Sequence, residues 1–150
     1  MKRTVLTMMM MGVMLIGFAQ RQVPMSDFYP SQMIYEQLTP AQVEQMRSED
    51  PAGLLLMNYK MVNSAVVIAK PLDGEVKQMG SLEKYLPAGM SYNEDEIIRN
   101  GAINPFKWQL PQDKTQWCVY QMRRSGYFVA VPPETVFNER SQAFLRAYGY

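Results

Sequence analysis

Histidine is absent from this chain of 150 residues, and cysteine occurs once, as Cys118. Without histidine the chain cannot form a Ser-His-Asp or Cys-His catalytic arrangement, or an H-E-x-x-H zinc site. A single cysteine forms neither an intramolecular disulfide nor a C-x-x-C redox pair. We expect Cys118 to be a buried thiol, with an intermolecular disulfide as the alternative. These absences predict a protein with no catalytic residues, no metal site and no cofactor.

The sequence also lacks an apolar run long enough for a membrane-spanning helix, which requires about 20 apolar residues. The apolar stretch nearest the N-terminus, residues 5–18, follows a short basic region and ends among the small residues Gly17 and Ala19. This order is typical of a secretory signal peptide, so we predict a cleaved signal at residues 1–19, with an uncleaved N-terminal anchor as the alternative. No cysteine lies near the cleavage site, which argues against a lipid anchor.

The chain has no excess of charge of either sign. It carries 15 basic and 14 acidic residues, a formal net charge of +1, and loss of Lys2 and Arg3 with the signal changes this to −1. Because a nearly neutral protein has no long-range attraction for polyanions, we expect no nucleic acid and no anionic membrane surface among its partners. The length predicts one domain with a single modest core.

After the signal, residues 20–37 begin with the polar sequence QRQVPMSDFYPS, which two prolines interrupt. We predict an extended arm in this region, because prolines and polar residues disfavour regular structure near a terminus. Its aromatic residues are expected to dock onto the rest of the chain: Phe28, Tyr29 and Tyr35. Residues 38–150 are predicted to form a single α+β domain.

The centre of the chain, LTPAQVEQMRSEDPAGLLLMNYKMVNSAVVIAK (residues 38–70), predicts two helices followed by a strand. Thr39 and Gln42 have the spacing of a capping box, and Asp50 with the proline after it can begin a second helix. The second helix has a broad apolar face that we place in the core: Leu54, Leu55, Met57, Tyr59, Met61 and Val62. The β-branched residues within 65–69 are typical of a buried strand.

The last third of the chain predicts three antiparallel strands and a helix. Residues 106–110 alternate apolar and polar side chains, 116–122 form the next strand, and a tight connection leads into 127–131. Residues 134–148 are predicted to be helical. We therefore expect an α+β fold in which this three-stranded meander and the earlier strand form a small antiparallel sheet, packed by the N-terminal helices and the C-terminal helix.

Three short motifs imitate those of penicillin-binding proteins and serine β-lactamases: SLEK at Ser81, SYN at Ser91 and KT at Lys114. The third motif lacks the glycine that should follow, and the first two lie too close in sequence to form opposite walls of a cleft. We therefore interpret Ser81 and Ser91 as helix caps. Ser91 and Glu94 have the spacing of a capping box, for a helix that ends at Gly101.

Aromatic and arginine residues that are not assigned to the core are the predicted interaction residues. Arg123 and Arg124 occupy the tight connection before Tyr127, where a guanidinium group can contact a carboxylate or phosphate of a partner. The full set of candidates comprises Trp108, Trp117, Arg123, Arg124, Tyr127, Tyr148 and Tyr150.

Two parts of the sequence resemble small exported Bacteroidota proteins of unassigned function. They are the signal exit Ala19-Gln20 and the run LTPAQVEQM–DP–LLLMNYKMVNSAVVI between Leu38 and Ile68. The resemblance implies a place in the cell envelope, including a link to the type IX secretion and gliding apparatus, and it implies no functional residues. We expect a periplasmic or outer-membrane-associated protein without a lipid anchor, alternatively an extracellular one, with protein partners of the envelope.

The function predicted from these features is a non-catalytic interaction or structural protein of the bacterial cell envelope, serving as a subunit or accessory of a larger complex. The alternative is a small carboxylate-dependent hydrolase of cell-wall glycans, which requires two acidic residues in one cleft and a raised pKa for one of them. The 14 acidic residues offer many pairs, and the sequence specifies no distance between any two of them.

Overall fold

The computed structural model describes residues 22–150, so the predicted signal peptide, 1–19, lies outside the described residues. In chain order, the helices and strands are α1 (Pro40–Glu49), α2 (Pro51–Asn63), β1 (Val66–Ile68), β2 (Val76–Ser81), α3 (Glu94–Asn100), β3 (Trp117–Gln121), β4 (Phe128–Val131) and α4 (Glu134–Ala147). Short 3-10 turns occupy Met25–Asp27, Gln32–Glu36 and Leu82–Tyr85.

The strands form one mixed sheet in the order β1-β4-β3-β2. Strand β4 pairs antiparallel with both β1 and β3, whereas β2 pairs parallel with β3. Helix α2 packs against both α1 and α4. The predicted α+β fold is confirmed, and the early strand lies beside β4, where its outer side is covered by backbone hydrogen bonds to residues 101–103.

Residues 106–110 are not a strand, so this part of the predicted antiparallel meander is wrong. The amide of Phe106 donates to Asn104 Oδ1 (2.9 Å) and the amide of Trp108 donates to the Asn104 carbonyl (3.1 Å), so a turn takes up this backbone. Such side-chain hydrogen bonds compete with strand pairing. The predicted alternation in burial is also wrong for Phe106, because Trp108 is 6% exposed but Phe106, on the same predicted strand face, is 51% exposed.

Strand β2 takes the place beside β3 instead, at the edge of the sheet, and sequence patterns predicted neither this strand nor its parallel pairing. Its sequence VKQMGS has no regular alternation of apolar residues. Gly80, at φ +81°, interrupts the register with β3, and the Tyr85 hydroxyl donates to the Met79 carbonyl at 3.2 Å. A bulge of this kind is common on edge strands and reduces their ability to pair with another chain.

The interior consists mainly of two apolar clusters. One lies on the sheet and includes Leu82, Ile97, Trp108, Tyr120 and Val129. The other joins the N-terminal residues to α1 and α2 and includes Phe28, Ile34, Val43, Leu54 and Leu55. Leu54, Leu55 and Met61 are fully buried, so the apolar face predicted for the second helix faces the core except at Val62, which is 37% exposed.

The region predicted as an extended arm contains two of the 3-10 turns, and it is docked through Phe28. The Phe28 ring is buried and meets the Tyr148 ring edge-on at 5.9 Å between centroids. The Arg47 guanidinium donates to the carbonyls of Met25 and Phe28, at 2.8 and 2.9 Å. Tyr29 and Tyr35, in contrast, are 83% and 41% exposed, so the docking predicted for them is wrong. Phe28 and Arg47 attach this segment to the helices together with the buried Ile34.

Of the four predicted N-terminal helix caps, two are correct, one is displaced, and Ser81 precedes the 3-10 turn Leu82–Tyr85 without a side-chain capping hydrogen bond. Thr39 and Gln42 form the complete capping box of α1, and Asp50 accepts the amide of Gly53 at the start of α2. Helix α3 begins at Asn93, whose side chain accepts the amide of Asp95, and not at Ser91. The prediction for Ser91 was wrong because an asparagine two residues later is an equally good N-cap.

Replacement of Thr39 by alanine tests the capping box. We expect Thr39→Ala to lower the free energy of unfolding by about 1 kcal/mol, because the amide of Gln42 loses its acceptor. Urea denaturation at pH 7 measures the change. Ser48→Ala removes an exposed hydroxyl from the same helix and should change stability by less than about 0.5 kcal/mol. Equal effects of the two substitutions would contradict a specific capping role.

Tyr120 in the inner strand β3 is a large, fully buried side chain. Its hydroxyl donates to the Pro111 carbonyl at 2.8 Å, and its ring meets the Tyr85 ring edge-on at 5.0 Å. Burial raises the pKa of the Tyr120 phenol well above its usual range, and Cys118 and Tyr85 act in the same direction. The folded state therefore requires the neutral phenol.

The raised pKa of Tyr120 makes stability depend on pH in the alkaline range. The contribution is fully present below the pKa of an unfolded tyrosine, about 10, and is lost as the pH rises above it. We expect the free energy of unfolding to fall as the pH rises above about 10, and Tyr120→Phe to reduce this slope. Urea denaturation across the range measures it. Tyr29→Phe, at an exposed tyrosine, should leave the slope unchanged; an unchanged slope in Tyr120→Phe would contradict the assignment.

Candidate functional site

The seven predicted interaction residues lie in four places. Trp108 is buried in the cluster on the sheet and meets Tyr92 edge-on at 5.4 Å, so it belongs to the interior. Trp117 is half-buried at the start of β3, with the Arg140 guanidinium 5.8 Å above its ring centroid. The remaining five are divided between the β3–β4 turn and the C-terminal tail.

The C-terminal tail is held against the beginning of the described chain. Tyr148 is half-buried between the rings of Phe28 and Phe144, at 5.9 and 5.4 Å. The amide of Val23 donates to the Ala147 carbonyl at 3.0 Å. Tyr150 extends beyond these contacts and is 49% exposed. The tail therefore contributes mainly to packing and leaves one tyrosine accessible.

The β3–β4 turn brings Arg123, Arg124 and Tyr127 together, and we call these three residues the hairpin-tip surface. Both arginines are exposed, and Tyr127 is 36% exposed. The turn closes through two backbone bonds, from Met122 N–H to the Tyr127 carbonyl (2.9 Å) and from Gly126 N–H to the Met122 carbonyl (3.1 Å). Gly126 has φ +76°, which glycine adopts without strain. The predicted tight connection is confirmed.

A buried carboxylate from another element holds this turn. Glu94, in the first turn of α3, is 8% exposed, and its two oxygens accept the amides of Ser125 (3.1 Å) and Arg124 (3.4 Å). Glu94 is the first of three consecutive acids, residues 94–96, of which the other two, Asp95 and Glu96, are exposed. No local pattern distinguishes these three acids, because the amides that bind Glu94 come from 30 and 31 residues away.

Beside the hairpin-tip surface lies a shallow depression of about 260 Å³, lined by Glu83, Tyr92, Asn93, Glu94 and Arg124. Burial raises the pKa of Tyr92, and the carboxylates of Glu83 and Glu94 raise it further. Two glutamates thus line one depression, as the hydrolase hypothesis requires. Both oxygens of Glu94, however, accept backbone amides, so this carboxylate serves the turn.

The pKa values of the Glu36 and Asp113 carboxyl groups are lowered, whereas a general acid needs a raised pKa. Burial acts to raise the pKa of Glu36, but the Asn104 amide and the Lys107 ammonium group, 2.9 Å away, lower it overall. The backbone amides of Thr115 and Gln116 lower the pKa of Asp113. A catalytic acid in a glycosidase requires a shift in the opposite direction.

Residues 22–150 place no group of three or more histidine, cysteine, aspartate or glutamate side chains where they could hold a metal ion. Burial raises the pKa of the Cys118 thiol, which is inside the sheet as expected. None of the helices in the described part of the chain has the length and hydropathy needed to cross a membrane.

No protein-family model, curated protein or solved structure matches this chain. Its residues therefore supply the functional information. Among them, the hairpin-tip surface combines exposed cationic and aromatic side chains with a backbone that a buried carboxylate holds in place.

Replacement of Glu94 by alanine tests the link between α3 and the turn. We expect Glu94→Ala to lower the free energy of unfolding by about 2 kcal/mol, because two backbone amides lose a charged acceptor. In amide NMR spectra, the signals of Arg124 and Ser125 should shift and exchange faster with solvent. Glu96→Ala, in the same helical turn but exposed, should cost less than about 0.5 kcal/mol. Unchanged Arg124 and Ser125 signals in Glu94→Ala would contradict the link.

Proposed function

We propose that this protein is a non-catalytic interaction protein of the bacterial cell envelope, exported by its N-terminal signal and acting as a subunit or accessory of a periplasmic or outer-membrane-associated complex. Two features of the sequence support this proposal: the signal-like residues 1–19 and the absence of histidine-dependent chemistry. The hairpin-tip surface is the observation that carries it.

The chemistry of the hairpin-tip surface suits contact with another protein. Arginine and tyrosine are enriched among the residues that contribute most to binding at protein interfaces. A guanidinium group pairs with a carboxylate through two parallel hydrogen bonds, which adds both energy and orientation. Arg123 and Arg124 are adjacent and exposed, so the partner surface we propose presents carboxylates.

The fixed turn lowers the entropy cost of such a contact. A flexible loop loses conformational freedom when a partner orders it, and this loss reduces affinity. Here the Glu94 carboxylate already holds the amides of Arg124 and Ser125, and Gly126 closes the turn. Only the exposed side chains of the hairpin-tip surface remain to be ordered. In this turn Glu94 therefore has a structural role, whereas the cationic side chains of Arg123 and Arg124 are accessible to a partner.

Because the net charge is near zero, electrostatic attraction at this contact acts only over a short range. A chain with a formal charge near zero has little long-range attraction for a partner. Attraction to an acidic surface must therefore come from the two adjacent arginines, over a distance of about 8 to 10 Å at physiological salt. We expect complex formation through this surface to weaken as salt concentration rises.

The test compares complexes formed in the native envelope by the unmodified protein and by Arg123→Ala/Arg124→Ala. The chain is tagged, crosslinked in cells and separated by size. The unmodified protein should elute in a larger complex. The amount of this complex recovered with the double variant should be about tenfold lower, as expected for loss of residues central to an interface. Circular dichroism checks that the variant is folded.

The matched control is Arg99→Ala/Arg146→Ala, which removes the same charge from exposed arginines on α3 and α4. It should form the complex normally. Recovery of the unmodified protein only as a free monomer would contradict the proposal, as would equal loss in both double variants. Release of reducing ends from cell-wall glycan by the purified protein would contradict its non-catalytic part.

A further inference from the structure

A cavity of about 280 Å³ lies between the end of α2, the loop after α3, the end of β4 and the first turns of α4. It shares no residue with the hairpin-tip surface. Its apolar wall is formed by Ala65, Ile103, Trp108, Leu110, Val131 and Phe137. Its polar lining consists of Lys60, Ser64, Gln109 and Gln112. We call it the Lys60 cavity.

The side chains of the wall are fixed by contacts outside the cavity. Trp108 packs edge-on against Tyr92 at 5.4 Å, and Phe137 packs against Tyr59 at 5.5 Å. The Gln112 amide donates to the Pro132 carbonyl at 2.9 Å. Because these partners already hold the wall in place, a ligand does not have to order it. Binding sites for small molecules are usually preformed in this way.

The charge of the lining selects the head group of a ligand. Lys60 is the one ionisable residue that lines the cavity, and no carboxylate lines it. Within residues 22–150, Lys60 takes part in none of the ion pairs, which join Arg47 to Glu44, Lys77 to Asp113 and Lys107 to Glu36. An anionic group can therefore pair with its ammonium group without displacing another partner. A cationic ligand would be repelled by the same ammonium group.

The size and polarity of the wall select the rest of the ligand. Ligand pockets for drug-sized molecules range from about 300 to 1,000 Å³, so this cavity suits a smaller molecule. Apolar and aromatic side chains form most of its wall, which favours a hydrocarbon or aromatic body. We propose that the Lys60 cavity binds a small amphipathic carboxylate, with the carboxylate at Lys60 and the apolar body against Trp108 and Phe137.

Trp108 provides a direct signal for binding, because the sequence contains only two tryptophans. In a Trp117→Phe background, all tryptophan fluorescence comes from the cavity wall. Octanoate, octanol and octylamine are titrated below their micelle concentrations, so that three ligands with the same chain differ in the head group. We expect a saturable change in fluorescence with octanoate. Octanol should bind about fivefold more weakly, because it cannot form the solvent-exposed ion pair, and octylamine should bind more weakly still.

Lys60→Met tests the head-group contact with little change in side-chain volume. It should lower the affinity for octanoate about fivefold, to that for octanol, and leave octanol binding unchanged. Lys70→Met is the matched control, since Lys70 is exposed and does not line the cavity, and it should bind octanoate normally. Calorimetric titration of the protein with both tryptophans checks that the Trp117 substitution does not alter the site.

Three results would overturn the proposal. They are the absence of a saturable signal with octanoate in both fluorescence and calorimetry, equal affinities for octanoate and octylamine, and unchanged octanoate binding in Lys60→Met. Amide NMR shifts of the unmodified protein locate the ligand. Shifts centred on Lys60, Ser64 and Gln109 support the cavity, whereas shifts centred on Arg123 and Arg124 would place the carboxylate at the hairpin-tip surface and overturn it.

Discussion

The burial of strand β3 between two partners is the constraint on which the rest of the structure depends. β3 pairs with β4 on one side and β2 on the other, and Cys118, Val119 and Tyr120 are all buried. With no intramolecular disulfide available to one cysteine, apolar packing must hold these strands together. Tyr120 joins the sheet to the loop before it, through its hydroxyl and the Pro111 carbonyl. The parallel partner β2 and the antiparallel partner β4 are both placed by this strand.

Around this sheet, polar groups act as links between segments that are distant in sequence. Arg47 attaches the N-terminal segment through the carbonyls of Met25 and Phe28. Glu36 binds Asn104 and Lys107, and Glu94 binds the β3–β4 turn. Arg47 and Glu94 bind backbone groups of a distant segment, whereas Glu36 binds side chains. Because each of the three side chains is charged, its hydrogen bonds are stronger than those between neutral groups. The exposed arginines of the turn have no such structural task, and this leaves them available to a partner.

Most of the features predicted correctly are local in the chain. The capping box of Thr39, the helix start at Asp50 and the glycine end of α3 at Gly101 each depend on residues within one helical turn. The features that were missed depend on partners far away. The alternation in residues 106–110 predicted one buried strand face for Phe106 and Trp108, but the turn at Asn104 prevented strand pairing and Phe106 is exposed. Strand β2 carries no strand pattern of its own and exists because β3 offers it a parallel partner.

The same division applies to function. The sequence by itself determined which chemistry is excluded, since no arrangement of this chain supplies a histidine, and it placed two arginines in a hairpin connection. Only the tertiary structure decided that Trp108 lies in the interior, that Glu94 braces the turn and that Lys60 faces a cavity with no acidic residue in its lining. Composition and short-range spacing are properties of the chain alone, whereas burial and electrostatic environment depend on residues that are brought together only when the chain folds.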